Sequence, residues 1–361
     1  MSRLNVGKLI ASIGVRLPGF TDATRPTGEA GLLIYNSEQG IVEVFDGDEW
    51  GNAATGSFTI EATGGDIFDA TSGYRYHVWN GPGQFQVVNA KAGSTIDILV
   101  VGGGGGAGNY YYNGGAGAGG VVHVTNYPVQ ALGSGVTISV GAGGTYPYNP
   151  GVASSFGSIL TANGGGACGG YPYSYVGAPG GSAGGGSLYT STAGTATQPG
   201  TTQSYGAGNL QVNAGNPGGP GPGWPGNPSG GGGGGGAGAG GVGWAGPKVG
   251  DGGIGVTIPG FSSADHPLLA EGGRYGGGGG AGTYSPNDPS RRGYGGVNPG
   301  GSPTNPQGLR YGAGNGGSSG PSANGFGSQA GLQRTGGGAG GPDYPHSVSG
   351  GSGVVAVRYL A

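Results

Sequence analysis

The chain has 361 residues, of which 101 are glycine and 25 are proline. These two residues fill about a third of the positions, against roughly 12% in average proteins, and their cost inside helices excludes a conventional helical core. The 13 basic and 16 acidic side chains give a net charge of −3, which excludes the basic field that gathers nucleic acid or anionic lipid.

A composition of this kind is also typical of disordered chains and of collagen, and both are disfavoured here. Charged residues make up only 8% of the chain and tyrosine occurs 20 times, whereas disordered chains are rich in charge and poor in aromatic rings. Glycine runs such as 230–236 break any Gly-X-Y register. The aromatic content therefore predicts a packed structure.

Residues 1–56 have a nearly ordinary composition and are predicted to form a small β module. Segments 32–35 and 41–45 flank a short turn and predict a β-hairpin, with a second turn at 46–50. Residues 4–17 are predicted to form a short strand or an extended arm. A unit of this size buries little surface alone, so we interpret it as an attachment module that packs on a partner or on its own copies.

Residues 57–361 are predicted to form an all-β domain. Short β-patterned runs separated by Gly, Asn and Pro favour a β-sandwich or jelly-roll sheet. The last run is strongly apolar and follows a long glycine-rich region, so we expect it to lie beside the earlier strands and to close that region as a domain. The sheet strands are expected within 57–140 and at 353–360, at positions 58–61, 74–79, 85–88, 94–101, 120–125, 136–140 and 353–360.

The glycine-rich insertions at 102–118, 141–252 and 272–352 need a structure of their own. An extended left-handed helix with three residues per turn has no internal hydrogen bonds, so its amides need partners. Glycine lacks a side chain, and neighbouring helices can approach closely enough to exchange backbone hydrogen bonds. The insertions are therefore predicted to form packed helices of the polyglycine II type.

Residues that usually carry catalysis or bind metals are sparse and scattered. Cys168, the single cysteine of the chain, lies in the run 164–170. It can form no internal disulfide and lacks the further ligands that a metal site needs, so it is interpreted as a small apolar filler. No histidine stands near a Ser or Cys with a catalytic signature. We expect no enzyme, no cofactor and no metal site; the histidines are His77 and His123, interpreted as structural residues in strands, and His266 and His346.

Aromatic residues cluster in segments rich in Gly, Asn and Ser. This composition is typical of binding loops, in which rigid rings supply contact area at low entropic cost. The alternative is that the tyrosines fill gaps between polyglycine helices or stack against neighbouring subunits. The candidate receptor-binding residues are Tyr110, Tyr111, Tyr112, Tyr146, Tyr148, Tyr171, Tyr173, Tyr175, Trp224 and Trp244.

The chain lacks a stretch of roughly 20 apolar residues, so no membrane insertion is expected. Residues 1–8 also lack the apolar core of a signal peptide. The composition is of an adhesive, extracellular type. The lack of a signal-peptide core therefore favours a component of a virus particle that is assembled in the cytoplasm over a protein secreted through the general export pathway.

Seven segments, in their order and spacing, resemble the glycine-rich domain found in many phage tail and fibre proteins: 73–79, 83–87, 96–106, 117–122, 136–144, 151–156 and 350–359. This resemblance covers about 57–361. Residues 25–36 and 44–50 resemble a short module of phage structural proteins, particularly those of tailed viruses of marine cyanobacteria. The resemblance implies a virion component, often a receptor-binding fibre or adhesin, with a β-sandwich, stacked polyglycine helices and no catalytic residue.

From these observations we expect a phage virion structural protein, a tail-fibre or adhesin subunit that takes part in host adsorption. Residues 1–56 would attach it to other virion proteins, and the loops of 57–361 would bind a host cell-surface glycan or outer-membrane protein. We expect a location on the virion surface, in a tail, fibre or capsid appendage, and a homo-oligomer, with a trimer as the form common among fibres. The alternative is a head or tail decoration protein that stabilises the particle without binding a receptor.

Overall fold

The chain divides into two compact units, residues 1–60 with 360–361 and residues 61–359. Residues 4–16 of the predicted arm and residues 58–59 of the predicted strand at 58–61 lie outside the described residues. The computed structural model describes residues 17–47, 49–53, 60–91, 93–108, 112–132, 135–170, 174–198, 208–223, 230–246, 248–283, 292–296, 312–315, 328–341 and 348–361.

The first unit contains a four-stranded sheet in the order β1-β2-β3-β4. The predicted hairpin is present as β2 and β3, with Leu33 opposite Val44. Strand β1 pairs parallel with β2, and β4 pairs antiparallel with β3. The strands are β1 (Gly19–Phe20), β2 (Leu33–Asn36), β3 (Ile41–Phe45) and β4 (Trp50–Asn52).

The two faces of this sheet differ in polarity because side chains alternate along each strand. On one face, Arg25 binds the buried carboxylate of Glu43 with Nε and one terminal nitrogen, at 2.8 and 2.6 Å. The other face presents Leu33, Tyr35 and Val42, each about two-fifths exposed. The small unit therefore leaves an apolar sheet face uncovered by the described residues of its own fold.

The second unit is all-β. Its sheets have the orders β14-β10-β9-β17-β7-β6, β13-β12-β11-β8-β5 and β15-β16. The described helical segments are three short 3₁₀ turns, at Asp22–Thr24 in the first unit and at Val129–Leu132 and Glu271–Gly273 in the second. The strands are β5 (Glu61–Thr63), β6 (Asp66–Asp69), β7 (Tyr74–Trp79), β8 (Gly83–Asn89), β9 (Thr95–Val101), β10 (Val121–Pro128), β11 (Val136–Ser139), β12 (Ser154–Phe156), β13 (Leu160–Ala162), β14 (Asn209–Ala214), β15 (Val256–Thr257), β16 (Arg274–Tyr275) and β17 (Val354–Leu360).

The terminal strand β17 lies inside the six-stranded sheet, between β9 and β7. Val354 stands opposite Val101 and Arg358 stands opposite Asp97 in the antiparallel pair with β9. Residues 354–357 are fully buried. The apolar end of the chain therefore lies beside the earlier strands, and the long glycine-rich region leaves the sheet and returns to it.

Both faces of the central strands of the six-stranded sheet are covered, whereas the edge strand β6 is exposed. On one face, His77 of β7 packs edge-on against Phe85 of β8, with ring centroids 5.3 Å apart, and Phe85 contacts Phe156 of β12 at 6.0 Å. These contacts join the six-stranded and five-stranded sheets into a sandwich. On the other face, Tyr76 and its neighbours form a buried cluster with residues of 256–275, including Phe261, Leu269 and Tyr275.

The glycine-rich segments form a bundle with a three-residue hydrogen-bond repeat, as expected for polyglycine II helices. Along 102–107, successive amides donate to three different neighbouring segments, and every third amide returns to the same neighbour with the acceptor number lowered by three. The neighbours that are reached in this way therefore run antiparallel to 102–107. The acceptors, in order, are the carbonyls of Gly120, Val152, Gly351, Gly117, Asn149 and Val348.

Segment 232–237 repeats this pattern with a different set of neighbours. Its amides alternate among three segments, again with each acceptor number falling by three at every third residue. The amides of the bundle thus find partners on separate segments. The acceptors, in order, are the carbonyls of Gly186, Val242, Gly279, Ala183, Ala239 and Gly276.

The predicted insertions are not wholly polyglycine. Region 141–252 contains β12, β13 and β14, and region 272–352 contains β16. Each of these short strands pairs with a neighbouring strand. In β14, Ala214 stands opposite Val121 of β10, and β14 forms one edge of the six-stranded sheet. Local composition did not predict these strands because tertiary pairing decides whether runs of two to six residues become strands.

Candidate binding surface

Several polyglycine segments end together at the side of the bundle remote from the sheets. Gly120 leads directly into β10, so Asn113 lies at the far end of its segment. At this end the Gly282 amide donates to the Asn113 carbonyl at 3.1 Å, and the Gly114 amide donates to the Gly169 carbonyl at 3.0 Å. The described residues that bound 109–111 and 171–173 lie at this end of the bundle, which we call the distal end.

The distal end brings together two of the predicted tyrosine loops. Tyr175 lies 5.0 Å from Tyr189 between ring centroids, and Tyr112 lies 6.2 Å from Tyr189 in an edge-on arrangement. The Leu188 amide donates to the Tyr112 carbonyl at 3.0 Å, and the Ser187 amide donates to the Tyr175 carbonyl at 2.8 Å. Segment 187–189 therefore holds both loops, and the three tyrosines form what we call the ring cluster.

The ring cluster presents aromatic surface to solvent, and threonine hydroxyls lie beside it. Tyr175 is 42% exposed, and Tyr112 and Tyr189 are partly buried. Beside the cluster, the hydroxyls of Thr190 and Thr192 lie 2.7 Å apart. Aromatic rings held by rigid loops, together with exposed hydroxyls, can stack on a ligand and form hydrogen bonds with it.

Tyr148 has a different role from the ring cluster. A Cβ at Gly108 or at Gly170 would overlap the Tyr148 side chain, so this ring occupies space that two glycines leave open. Its hydroxyl accepts a hydrogen bond of 3.2 Å from Asn113 Nδ2. Tyr148 therefore fills a gap between polyglycine helices, which was the alternative interpretation of the tyrosines, whereas nearby Tyr146 is 45% exposed.

A pocket of about 390 Å³ opens beside Tyr148. Cys168 is 3% exposed, and burial raises the pKa of its thiol to about 12. Val176, at 40% exposed, lies at the accessible side of the pocket. The described lining residues are Tyr148, Ala167, Cys168, Ser174, Val176, Gly177, Ala178 and Pro179.

The remaining candidates are less informative. Trp244 donates its amide to the Pro220 carbonyl at 3.1 Å, and its indole Nε1 is buried without a hydrogen-bond partner among the described residues. It is not part of the ring cluster. Five candidates lie outside the described residues: Tyr110, Tyr111, Tyr171, Tyr173 and Trp224.

The described histidines of the second unit, His77, His123 and His266, are buried. His77 has hydrogen-bond partners on both ring nitrogens, as expected of a structural residue: the Gly64 carbonyl at 2.7 Å and the Tyr359 hydroxyl at 2.8 Å. His123 packs against Phe261 with centroids 5.4 Å apart, and burial lowers its pKa to about 4. Burial also lowers the pKa of His266, and His346 lies outside the described residues.

Among the described residues, no three His, Cys, Asp or Glu side chains group closely enough to hold a metal ion. In the same part of the chain, no helix has the length and apolar character needed to cross a membrane.

Sequence reasoning missed Tyr189 and the pocket. Tyr189 is a single tyrosine after a glycine run, whereas the predicted candidates came mainly from Tyr-rich clusters such as 110–112 and 171–175. The run Ser187-Leu-Tyr-Thr190 did carry a signal, since an aromatic ring flanked by hydroxyl residues has the composition of a binding loop. The pocket has no local signal because its lining comes from three separate segments.

The fold and the distal end define an all-β sandwich that carries a polyglycine bundle and displays aromatic loops. The family model described as the glycine-rich domain matches residues 80–360. This match covers more than half of the chain, and the protein belongs to the glycine-rich domain family. No curated protein has a sequence that matches the chain.

Proposed function

We propose that the protein is a phage virion structural protein of the tail-fibre or adhesin type, and that the distal end of its bundle contacts the host receptor. The observation that carries this proposal is the ring cluster of Tyr112, Tyr175 and Tyr189, drawn from three separate loops. The resemblance of residues 57–361 to glycine-rich domains of phage tail and fibre proteins supplies the biological setting. The protein would have no enzymatic activity.

The bundle supports this role by holding the described residues at the ends of the loops in place. The segments that lead to the distal end bind one another through backbone hydrogen bonds, such as that from Gly185 to Gly115 at 2.9 Å. Rings that are already fixed lose little conformational entropy when a receptor binds. The loop sequences of such a surface can vary while the bundle that holds the loops keeps the same structure.

The N-terminal unit supports attachment to another virion protein. Leu33, Tyr35 and Val42 share one face of its sheet and are each about two-fifths exposed. An apolar face of this kind is typical of a protein-binding surface. A decoration protein on the head or tail would need the same attachment face, and this is the competing function.

Adsorption of particles that carry a Tyr175→Ser/Tyr189→Ser variant tests the proposal. We expect the adsorption rate to fall at least about tenfold, because the exposed rings supply the contact area. Val88→Ser is the control, since this valine of β8 is 62% exposed and belongs neither to the ring cluster nor to the attachment face. Immunoblotting of purified particles checks that both variants are incorporated.

Unchanged adsorption of the double variant would remove the receptor role of the ring cluster. Electron microscopy of labelled particles then separates the two functions. A few copies at a tail tip or fibre favour adsorption, whereas a regular lattice over the head or tail tube identifies a decoration protein.

A further inference from the structure

The part of the chain that builds the pocket contains no charged residue. Between Asp97 and Lys248 the sequence has no Asp, Glu, Lys or Arg, and its one histidine, His123, lies in β10. All three segments that line the pocket fall within this stretch. None of the described residues that line the pocket carries a charge that could offset the lost hydration of an ionic ligand, so this lining is suited to an uncharged ligand.

The pocket has a fixed shape. Gly170 and the lining residue Ser174 form an antiparallel bridge. The Ala178 amide donates to the Ala167 carbonyl at 2.9 Å, and the Gly184 amide donates to the Ala178 carbonyl at 3.0 Å. The walls are therefore backbone segments held by hydrogen bonds, and a ligand that binds there meets a preformed site.

The pocket combines apolar surface with one accessible hydroxyl residue. Tyr148, Val176 and Pro179 supply the apolar surface, and Ser174 is exposed at the opening. A volume of about 390 Å³ is at the small end of the roughly 300–1,000 Å³ range of ligand pockets. It accommodates a group the size of a sugar ring, which has apolar C–H faces and hydroxyl edges, rather than an extended protein loop.

We propose that this pocket binds an uncharged sugar residue of a cell-envelope glycan. The sugar would lie with an apolar face against Tyr148 and Val176 and with hydroxyls toward Ser174 and the solvent. The inference rests on the proposed function, because it names the ligand of the distal end. The pocket is nevertheless distinct from the ring cluster: Ser174 and Val176 line the pocket, whereas the Tyr175 ring between them packs on Tyr189.

The test measures binding of the purified full chain to an array of neutral hexose, N-acetylhexosamine and deoxyhexose glycans, with sialylated and uronic-acid glycans on the same array. We expect binding to one or more neutral glycans. Because no ion pair contributes, the affinity is expected to change less than about twofold between about 0.05 and about 0.5 M salt.

Two substitutions of the same type distinguish glycan binding in the pocket from glycan binding elsewhere on the bundle. Val176→Arg places a long charged side chain at the opening and is expected to lower the affinity at least about tenfold. Val152→Arg is the control, since Val152 is also an exposed valine in the charge-free stretch and does not line the pocket. A milder variant, Val176→Ser, is expected to lower the affinity about threefold or more, because it removes apolar contact.

The pocket proposal is wrong if the chain binds no neutral glycan, if it binds acidic glycans preferentially, or if Val176→Arg binds as well as Val152→Arg. Adsorption measurements on particles distinguish this failure from failure of the proposed function. If Tyr175→Ser/Tyr189→Ser abolishes adsorption and Val176→Arg does not, the receptor role remains and the receptor is recognised by the rings alone. Loss of glycan binding in Val176→Arg, together with normal adsorption of both this variant and Tyr175→Ser/Tyr189→Ser, supports the pocket and contradicts the adhesin function.

Discussion

The Tyr359 hydroxyl lies 2.8 Å from His77 Nε2 and joins two side chains separated by 282 positions in the chain. The Gly64 carbonyl lies 2.7 Å from His77 Nδ1, so Nδ1 carries the proton and donates it. Burial lowers the pKa of His77, which keeps the ring neutral. Nε2 therefore accepts the hydrogen bond from Tyr359, and the terminal strand is tied to the interior of the sandwich.

Tyr359→Phe should destabilise the second unit by about 1–3 kcal/mol, because it leaves a buried histidine nitrogen without its donor. The free energy of unfolding, measured by denaturant titration, checks this value. Tyr175→Phe removes a hydroxyl from a ring that is 42% exposed and should change stability by less than about 0.5 kcal/mol. Equal stability of the two variants would show that the His77–Tyr359 hydrogen bond contributes little.

His123 should make the protein less stable in acid. Its pKa is about 4 in the folded chain, below the ordinary value of 6.5, so the unfolded state binds the proton more tightly. The contribution is fully present above about pH 6.5 and is lost as the pH falls toward 4. Between pH 7 and pH 5 the loss is about 2 kcal/mol, and the lowered pKa values of His77 and His266 act in the same direction.

His123→Phe keeps a planar ring against Phe261 and removes the titrating group. Unfolding free energies at pH 7 and pH 5 should therefore differ by about 2 kcal/mol less in this variant than in the natural chain. An unchanged pH dependence would mean that His123 is accessible to protons in the folded state.

Close contact between polyglycine helices should make Gly104→Ala strongly destabilising. A Cβ at Gly104 would overlap the carbonyl oxygen of Gly337 on a neighbouring segment, and both segments are held by hydrogen bonds on other sides. We expect a loss of about 3 kcal/mol or more. Gly81→Ala is the matched control because a Cβ there meets no atom within 4 Å and its φ is not positive; thermal unfolding of the two variants gives the comparison.

Cys168 should resist thiol reagents in the folded protein. Its pKa of about 12, against an ordinary 9.0, lowers the thiolate fraction near pH 8 about a thousandfold. A colorimetric disulfide reagent should therefore react slowly with the native chain and rapidly after denaturation. Fast reaction of the native chain would contradict the burial of this thiol.

The ring cluster shows how much of the candidate binding surface could be predicted from the sequence. Tyr112 and Tyr175 were predicted from their local composition, and the structure places both against Tyr189, which was not predicted. Tyr148 belonged to the same set of candidates and instead fills the space above Gly108 and Gly170. Local composition identifies tyrosines in loops, but it does not state whether a ring faces solvent or a neighbouring glycine.

The sequence by itself determined the all-β class, the N-terminal hairpin and the helical form of the glycine-rich segments. Each follows from local chemistry: proline and glycine disfavour α-helix, alternating apolar residues favour strands, and polyglycine amides need external partners. The strongly apolar run 353–360 also indicated that the chain returns to its sheet.

Only the tertiary structure decided which segments are neighbours in the bundle and which loops meet at its distal end. Along 102–107 the six amides bind carbonyls as distant as Gly120, Val152 and Gly351. A run of glycines presents the same backbone groups at every position, so it carries no information about register or partner. The side chains at the ends of the runs and the strands that anchor them select one arrangement, and that arrangement creates the pocket and the ring cluster.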